Sequence, residues 1–377
     1  MNTQPKKTRI LFLFAHLHKG GMQKAVSNIS QALPAQFEQF VGYFGTENPG
    51  FTYNARMHDF QLPASGARGP FGKATIAWRR MVALRRYIET QRIDIVISFG
   101  ESANIYSLMS GHPAKTIITS RVALLEALSD NGLYGHAYRM LAKWLYPKAD
   151  ALVAVSEALA NDMRKIVGTK VRISAIPNLY HVSDIRRQAG QPLPEAFAFL
   201  ENKRFLLNVG SLCHQKAQDD LLKVFAQVHA RYSDVYLVLL GRGEWHEPLA
   251  RQAESLQIRE RLVFIDFDLN PYRYMSRAAA FVLTSRYEGF PNVLVESMIC
   301  EAPVLAFDCP TGPAEILGED SRFGALIQHR SINDMAQAIG RLLDDADARQ
   351  QASRVSSLRG KDYSAESVAN KWVEVLS

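Results

Sequence analysis

Two glutamates lie eight residues apart in the stretch SRYEGFPNVLVES, which spans residues 285–297. Proline is favoured where a helix begins, so Pro291 and the apolar residues after it predict a helix over residues 292–300. Glu288 then lies in the loop before this helix and Glu296 roughly one turn inside it. The two carboxylates bracket N–H groups that a helix N-terminus directs at an anion. Such a site suits a ligand with a central anion between two hydroxylated groups. Alternatively, Glu296 could equally cap its own helix or form an ion pair with a neighbouring basic side chain.

Other apparent strand-to-helix turns carry glycines and a lysine. Adjacent Gly20 and Gly21 precede a helical run, where backbone N–H groups could approach an anion. The loop GSLCHQK over residues 210–216 ends in Lys216, whose ammonium could neutralise a diphosphate. The glycines of GRG at residues 241–243 could line the same cleft. Taken singly, each feature is also explained by an ordinary tight turn or an exposed loop lysine.

The elements that would position these residues alternate along the whole chain. Short β-branched runs are separated by helix-length amphipathic segments, which predicts parallel strands covered on both faces and two doubly wound α/β domains. Proline and glycine interrupt the pattern within residues 177–200, so we expect the domain boundary there. In open sheets of this class ligands bind beyond the carboxyl ends of the strands. The predicted strands are residues 10–15, 39–44, 93–98, 116–119, 151–155, 171–176, 205–209, 235–240, 262–265, 280–284, 304–307 and 325–327.

Composition excludes several classes of protein. No apolar run reaches the roughly 18 residues of a membrane span. The run at residues 10–15 is too short for the apolar region of a signal peptide and lacks a cleavage site, so it predicts a first buried strand instead. The three cysteines are odd in number and lack metal-ligand spacing, which argues against a disulfide framework, so we expect a cytoplasmic protein.

The charge is uneven, with a net +11 over residues 1–180 and −4 over residues 181–377. A basic first half suits an anionic membrane surface, a phosphorylated substrate or nucleic acid, and an ordinary solvated surface explains it as well. Basic and aromatic residues are mixed over residues 68–86 and 133–148, which is typical of helices at an anionic lipid interface. Burial of their apolar stripes in the core is the alternative. Nucleic-acid binding is not expected, since no recognition motif is present.

Taken together, these stretches resemble the family 4 glycosyltransferases, retaining enzymes with the two-domain GT-B fold, in which two Rossmann-like domains face each other across a cleft. The resemblance covers nearly the whole chain, and its most specific part is YEGFPNVLVE at residues 287–296. The form of this stretch resembles bacterial enzymes that build cell-surface polysaccharides, lipopolysaccharide or lipid-linked oligosaccharides. The other matching stretches are KGGMQK at 19–24, AVSE at 154–157, IPN at 176–178, the loop ending at Lys216, GRG at 241–243, APV at 302–304 and DCPTGPAEI at 308–316.

The resemblance implies a hexosyltransferase that moves a hexose or N-acetylhexosamine from a nucleotide sugar, expected to be a UDP-sugar, to a glycan or lipid-linked acceptor in surface polysaccharide synthesis. It implies an acceptor-side domain over residues 1–180, a nucleotide-sugar-binding domain over 181–360 and a C-terminal helix over 361–377 that returns to the first domain. Peripheral contact with the inner face of an anionic cytoplasmic membrane would bring the enzyme to a lipid-linked acceptor.

The resemblance also implies roles for individual residues. Glu288 and Lys216 would be the catalytic residues, with Glu288 facing the donor sugar and Lys216 stabilising the departing diphosphate. Glu296 would hydrogen-bond the ribose of the nucleotide, and Arg121 and Glu101 would serve the acceptor. No metal or other cofactor is expected, because the family works without one and no Asp-x-Asp cluster is placed to hold a metal ion. The donor-binding residues would be Gly20, Gly21, Gly210, Ser211, Gly241, Arg242, Gly289, Phe290, Pro291, Asn292, Val293 and Glu296.

The sequence departs from the family pattern at two positions. Many relatives carry an arginine where this chain has Ser211, so either Arg242 or Arg286 substitutes for it or leaving-group stabilisation is weaker. Many also carry a histidine where this chain has Ser120 followed by Arg121, and Arg121 could bind an acceptor phosphate or be structural. The departure at Ser211 leaves a nucleotide-sugar-binding pseudoenzyme as an alternative. A GT-B epimerase or phosphorylase, which would handle a nucleotide sugar or glycan without making a new glycosidic bond, also stays open.

Overall fold

The structure is a computed structural model that describes residues 6–17, 20–45, 50–63, 69–121, 132–168 and 170–377, with only the backbone given for residues 69–70 and 132–138. Lys19 and Arg68, which belong to stretches discussed above, lie outside the described residues. The chain divides into two compact units, Met1–Tyr180 with Ala365–Ser377 and His181–Ser364. Each unit is built on its own parallel sheet.

The sheet of the first unit has the strand order β3-β2-β1-β4-β5-β6-β7, and that of the second has the order β10-β9-β8-β11-β12-β13. The first-unit strands are β1 (Thr8–Phe14), β2 (Phe37–Tyr43), β3 (Arg56–Asp59), β4 (Ile95–Phe99), β5 (Lys115–Ser120), β6 (Ala151–Ala154) and β7 (Arg172–Ala175). The second-unit strands are β8 (Phe205–Val209), β9 (Tyr236–Leu240), β10 (Leu262–Ile265), β11 (Ala280–Leu283), β12 (Val304–Phe307) and β13 (Ala325–Ile327).

Helices connect the strands in both units, as parallel pairing requires. In the first unit they are α1 (Gly21–Ala32), α2 (Gly69–Gln91), α3 (Glu101–Met109), α4 (Gly132–Leu145) and α5 (Glu157–Val167). In the second they are α6 (Val182–Ala189), α7 (Gln218–Arg231), α8 (His246–Ser255), α9 (Tyr272–Met275), α10 (Asn292–Ile299), α11 (Pro313–Leu317), α12 (Ile332–Asp344) and α13 (Ala346–Lys361). The last helix, α14 (Ala365–Leu376), belongs to the first unit.

The central strand β1 shows why an unbroken apolar run forms a strand here. Side chains of successive strand residues point to opposite faces, so Ile10 and Phe12 pack in one hydrophobic cluster with Trp372 of α14. Leu11 and Leu13 pack in a second cluster. Both faces of the strand are therefore buried, as expected for a parallel sheet between helix layers.

The predicted α/β class with two doubly wound parallel sheets is confirmed, and every predicted strand corresponds to an observed one within two residues at either end. The sequence prediction missed edge strand β3, because its residues RMHD carry no apolar run and are partly exposed. Within the described ranges, the helices lack the combination of length and apolar character needed to cross a membrane.

Candidate functional site

The loops that follow neighbouring strands of the second sheet gather at its carboxyl edge. Strand β8 lies between β9 and β11, and β11 lies between β8 and β12. The loops after these strands contain the 210–216 stretch, the 241–243 stretch, the 284–291 stretch and the 308–312 stretch. Parallel pairing therefore brings together four loops that are far apart in the sequence.

The centre of this edge is an ion pair between Lys216 and Glu288. The Lys216 Nζ lies 2.6 Å from Glu288 Oε1, and the Ser285 hydroxyl donates to the same oxygen at 2.7 Å. The side chain of Glu288 is only 6% exposed and that of Lys216 is 19% exposed. A buried carboxylate needs such partners, because leaving it unpaired would be strongly destabilising. The structure thus brings together the two residues predicted to be catalytic.

Direct contacts fasten the loop that carries Lys216 to the loop that carries Glu288. The Gln215 side-chain amide donates to the Tyr287 carbonyl oxygen at 3.0 Å. The backbone N–H of Arg286 donates to the Gln215 carbonyl oxygen at 2.8 Å. The spacing between the lysine and the glutamate is therefore set by the backbone as well as by their own attraction.

Gly241 and Gly243 allow two loop backbones to touch. A Cβ added to Gly241 would lie 1.9 Å from the Gly210 carbonyl oxygen, and one added to Gly243 would lie 2.0 Å from that of Leu212. The backbone N–H of Leu212 donates to the Arg242 carbonyl oxygen at 2.9 Å. These glycines are required for packing that shapes the Lys216 loop, and their contact with a donor stays a prediction.

The two arginines that could replace the arginine absent at Ser211 both face aspartates. Arg242 pairs with Asp266, and the side chains are 69% and 66% exposed. Arg286 pairs with both carboxylate oxygens of Asp219, at 3.1 and 2.8 Å, and also donates to the His214 carbonyl oxygen. The side chains of this second pair are 15% and 23% exposed. Arg286 therefore stabilises the loop that carries Lys216 through His214 and Asp219, whereas Arg242 lies at the surface.

Glu296 is buried on α10 and is held from a neighbouring helix. The hydroxyl of Tyr272 on α9 forms a hydrogen bond with Glu296. Burial, followed by the negative charge of Glu296, raises the pKa of Tyr272 well above its usual value. The hydroxyl consequently stays protonated and orients the carboxylate. Pro291 directly precedes α10, as the sequence predicted for the start of this helix.

The 308–312 loop lies against the loop that carries Glu288. Gly312 has a φ of +91°, and a Cβ there would come within 2.7 Å of Pro291 Cδ. The Thr311 hydroxyl donates to the Glu288 carbonyl oxygen. Burial, with a further contribution from the negative charge of Glu288, raises the pKa of the Cys309 thiol. The thiol is therefore neutral and serves as a small buried side chain. Phe290, one of the residues predicted at the donor site, is also buried and packs edge-on against Tyr363.

The first unit holds the predicted acceptor residues. Glu101 is the first residue of α3, after Gly100 at a φ of +88°. Arg121 follows β5, and its guanidinium donates to the Asn178 side chain and lies 5.1 Å from the centre of the Phe99 ring. Burial lowers the pKa of Arg121 to about 10. These contacts support a structural role for Arg121, and acceptor binding by Arg121 or Glu101 stays a prediction.

Gly20 and Gly21 mark the start of α1, where the Gly20 carbonyl oxygen accepts from the Lys24 N–H at 3.0 Å. Their predicted contact with a diphosphate is untested. Across the described residues, no cluster of three or more His, Cys, Asp and Glu side chains is placed to hold a metal ion. Metal independence likewise stays a prediction.

Helices α2 and α4 carry exposed apolar side chains beside basic ones. Phe71 and Trp78 of α2 are 88% and 62% exposed, and Met140 and Trp144 of α4 are exposed to a similar degree. The Lys148 ammonium lies 3.5 Å from the centre of the Trp144 ring. Other apolar residues of the same helices are buried: Leu84 and Ile88 of α2 pack in a hydrophobic cluster, and Leu145 of α4 is 1% exposed. Each helix therefore buries one apolar stripe, as the alternative predicted, and exposes further apolar side chains. The side chains of Tyr134 and Tyr138 lie outside the description.

Arg80 does not belong to this basic surface. It is 2% exposed, and it donates to the Leu62 carbonyl oxygen from Nε at 2.9 Å and from Nη2 at 2.7 Å. Its Nη1 donates to the Tyr106 hydroxyl at 3.1 Å, and the guanidinium lies 5.0 Å from the centre of the Phe44 ring. The inclusion of Arg80 among membrane-facing residues was wrong, because a helix alternates exposed and buried positions within one basic run.

Comparison with known proteins adds family and fold similarity to this geometry. A family model described as glycosyl transferase 4-like domain matches residues 20–179. A second, described as glycosyl transferases group 1, matches residues 191–357. The two matches do not overlap and together cover most of the chain.

Two curated relatives are similar over most of their own length. The N-acetylgalactosamine-N,N'-diacetylbacillosaminyl-diphospho-undecaprenol 4-alpha-N-acetylgalactosaminyltransferase of Campylobacter jejuni is 28% identical over 369 residues, covering 97% of this chain and 98% of that protein. The amylovoran biosynthesis glycosyltransferase AmsD of Erwinia amylovora is 24% identical over 309 residues, covering 81% of this chain and 84% of that protein.

Solved structures with the same fold cover 98% of this chain. A mutant of S. aureus TarM in complex with fondaparinux, alpha-GlcNAc-glycerol and UDP is similar at a TM-score of 0.79 and 15% identity, over 100% of that chain. Anabaena Alr3699/HepE in complex with UDP and glucose is similar at a TM-score of 0.76 and 18% identity, over 99% of that chain. At these identities the similarity shows the fold alone.

Proposed function

Because the chain belongs to the family 4-type glycosyltransferases of GT-B fold, we propose that it transfers a hexose or N-acetylhexosamine from a UDP-sugar to a lipid-linked glycan with retention of configuration. The observation that carries the proposal is the buried Lys216–Glu288 ion pair beside the start of α10. A lipid-linked acceptor is supported by the name of the C. jejuni relative, which includes a diphospho-undecaprenol. A pseudoenzyme or an epimerase is not favoured, because the named relatives are transferases.

The proposed reaction breaks the bond between the anomeric carbon and the β-phosphate oxygen. The acceptor hydroxyl oxygen bonds to the same carbon on the face that the UDP leaves, and its proton passes to the departing phosphate oxygen. Negative charge accumulates on the diphosphate during bond breaking, so a preorganised cation there lowers the barrier. Lys216 is that cation. When the donor binds, the Lys216 ammonium exchanges its ion pair with Glu288 for one with the diphosphate, and the Glu288 carboxylate then faces the donor sugar. No metal takes part in this scheme.

Arg242 is the better candidate for the second diphosphate cation. Its ion pair with Asp266 is exposed on both sides, and exposed pairs contribute only about 0–1 kcal/mol, so its release costs little. Arg286 is half-enclosed by Asp219 and the His214 carbonyl, and breaking such a charge-assisted arrangement costs more. Arg242→Ala should therefore weaken UDP binding, whereas Arg286→Ala should mainly lower the melting temperature.

The exposed apolar and basic residues of α2 and α4 support a peripheral membrane site for the acceptor. Each basic residue near an anionic surface contributes about 1 kcal/mol, and exposed Trp and Phe side chains can insert among the headgroups. A lipid-linked acceptor would be presented at that surface. On this proposal the enzyme works at the cytoplasmic face of the membrane, where UDP-sugars are made.

The proposed function is tested by measuring nucleoside diphosphate release from a panel of UDP- and GDP-hexoses and N-acetylhexosamines, with and without a bacterial lipid extract. Reactions in excess EDTA test the metal-free scheme, and NMR of the product gives the anomeric configuration. We expect slow UDP release from one donor, faster release with the lipid extract, and an unchanged rate in EDTA. Release of GDP alone would contradict the UDP assignment, and loss of activity in EDTA with rescue by one divalent ion would contradict the metal-free scheme.

A further inference from the structure

Two consecutive hydroxyl side chains directly after β11 contact the two partners of the ion pair. The buried Thr284 hydroxyl lies 3.2 Å from the carbonyl oxygen of Lys216 and 3.1 Å from that of Ala217. The buried Ser285 hydroxyl donates to Glu288 Oε1, the oxygen that also receives the Lys216 ammonium. Thr284 thus contacts the backbone at Lys216, and Ser285 contacts the side-chain carboxylate of Glu288.

The backbone after Lys216 needs such a partner. Lys216 ends a 3₁₀ turn, and Ala217 between this turn and α7 has a φ of 50° and a ψ of 42°. This left-handed conformation is strained for a residue with a Cβ. Such strain persists only where the surrounding structure holds the backbone in place. The Thr284 hydroxyl can do so, because it can donate to the carbonyl oxygens of the peptides before and after Ala217.

The direction of the lysine side chain depends on the same turn. A Cβ added to Gly210 would lie 3.5 Å from Lys216 Cε and 3.7 Å from its Cγ, so the methylenes of the lysine cross directly over this glycine. A change in the backbone at residues 216–217 would swing the ammonium away from Glu288. A hydroxyl at the end of a central strand is a rigid support, because β11 is paired on both sides by β8 and β12.

We infer that Thr284 and Ser285 are positioning residues for the reaction. Thr284 fixes the peptide from which Lys216 extends, and Ser285 orients Glu288 so that the ammonium stays in place until a diphosphate takes it over. The inference rests on the proposed role of Lys216 in stabilising the leaving group. Neither hydroxyl is assigned contact with the substrate.

The first test measures the placement of Lys216 without any substrate. Thr284→Val removes the hydroxyl at nearly constant volume, and Thr284→Ser keeps it. Under limiting acetic anhydride, with peptides read by mass spectrometry, Thr284→Val and Ser285→Ala should raise acetylation of Lys216 relative to exposed Lys203 about threefold or more, as the loss of one net hydrogen bond implies. Thr284→Ser should match the wild type. Unchanged labelling in Thr284→Val would overturn the inference, whether or not a donor is found.

Thr116→Val is the matched control for this chemistry. Thr116 is also buried and its hydroxyl donates to a carbonyl oxygen, that of Ala114 at 3.4 Å, but it lies at the start of β5 in the first unit. It should leave labelling of Lys216 unchanged. If it raises labelling as much as Thr284→Val does, general loosening of the fold explains the effect and the inference fails.

The second test is a double-mutant cycle on UDP release from the most active UDP-sugar of the panel. Thr284→Val should lower kcat on the order of tenfold, with donor KM changed less than about threefold, because misplacement of a charge affects the transition state most. In a Lys216→Ala background the same change should be nearly silent. Equal losses in both backgrounds would overturn the inference. If Lys216→Ala itself leaves kcat intact, the proposed role of the lysine fails, while the labelling result still decides the positioning.

Discussion

Arg80→Ala should strongly destabilise the first unit, although the substituted residue lies in a basic stretch that the sequence alone predicts to face a membrane. The change removes three hydrogen bonds from a charged donor, two of them to the Leu62 carbonyl oxygen. It also removes the guanidinium packed against the Phe44 and Tyr106 rings. Hydrogen bonds to charged groups contribute about 1.5–3 kcal/mol each.

The three bonds share one side chain, and water can reach part of the half-buried Leu62 position. Their loss is therefore smaller than a simple sum, and we expect about 3–5 kcal/mol of destabilisation. For a domain of 150–250 residues each kcal/mol shifts Tm by roughly 2–4 °C, so the transition of the first unit should fall by about 10 °C. Arg80→Lys should recover little, since an ammonium cannot reproduce the planar fork of donors.

Differential scanning calorimetry of the purified variants measures this shift. Arg79→Ala is the matched control, because Arg79 is the preceding residue of the same helix and is exposed. Its effect should stay within about 0.5 kcal/mol, as for most surface substitutions. Equal melting temperatures for Arg80→Ala and Arg79→Ala would refute the reasoning that Arg80 is a buried structural residue.

Three further predictions concern the donor and the membrane. Lys216→Ala should lower kcat for UDP release more than it raises donor KM, and an increase in KM alone would mean ordinary ground-state binding. Glu296→Ala should raise donor KM by the factor of ten or more that about 1.5–3 kcal/mol implies, and an unchanged KM would count against ribose binding. The wild type should co-sediment with phosphatidylglycerol vesicles at low salt and be released near 1 M salt, where the Debye length is about 3 Å. Replacing Arg79, Arg85 and Arg86 with glutamate should abolish sedimentation without affecting UDP binding, and unchanged sedimentation would point to α4 instead.

The sequence by itself determined the α/β class, the positions of the strands and the residue types at the candidate site. Apolar runs bounded by turn residues predict strands because burial on both faces leaves no polar alternation. The YEGFPNVLVE stretch predicted the start of α10, since proline is favoured where a helix begins and apolar residues follow it. It also placed Glu288 in the loop before this helix and Glu296 inside it. Strand β3 was not predicted, because this partly exposed edge strand contains no apolar run.

Only the tertiary structure decided which of these residues lie in contact. Lys216 and Glu288 are 72 positions apart, and they meet because β8 and β11 are neighbours in the sheet, an order that local periodicity does not encode. The same folding sets Arg286 against Asp219, Arg121 against Asn178 and Arg80 against the Leu62 carbonyl. Whether an arginine is a ligand-binding cation or a buried support depends on the groups that surround it in space, and these come from distant segments of the chain.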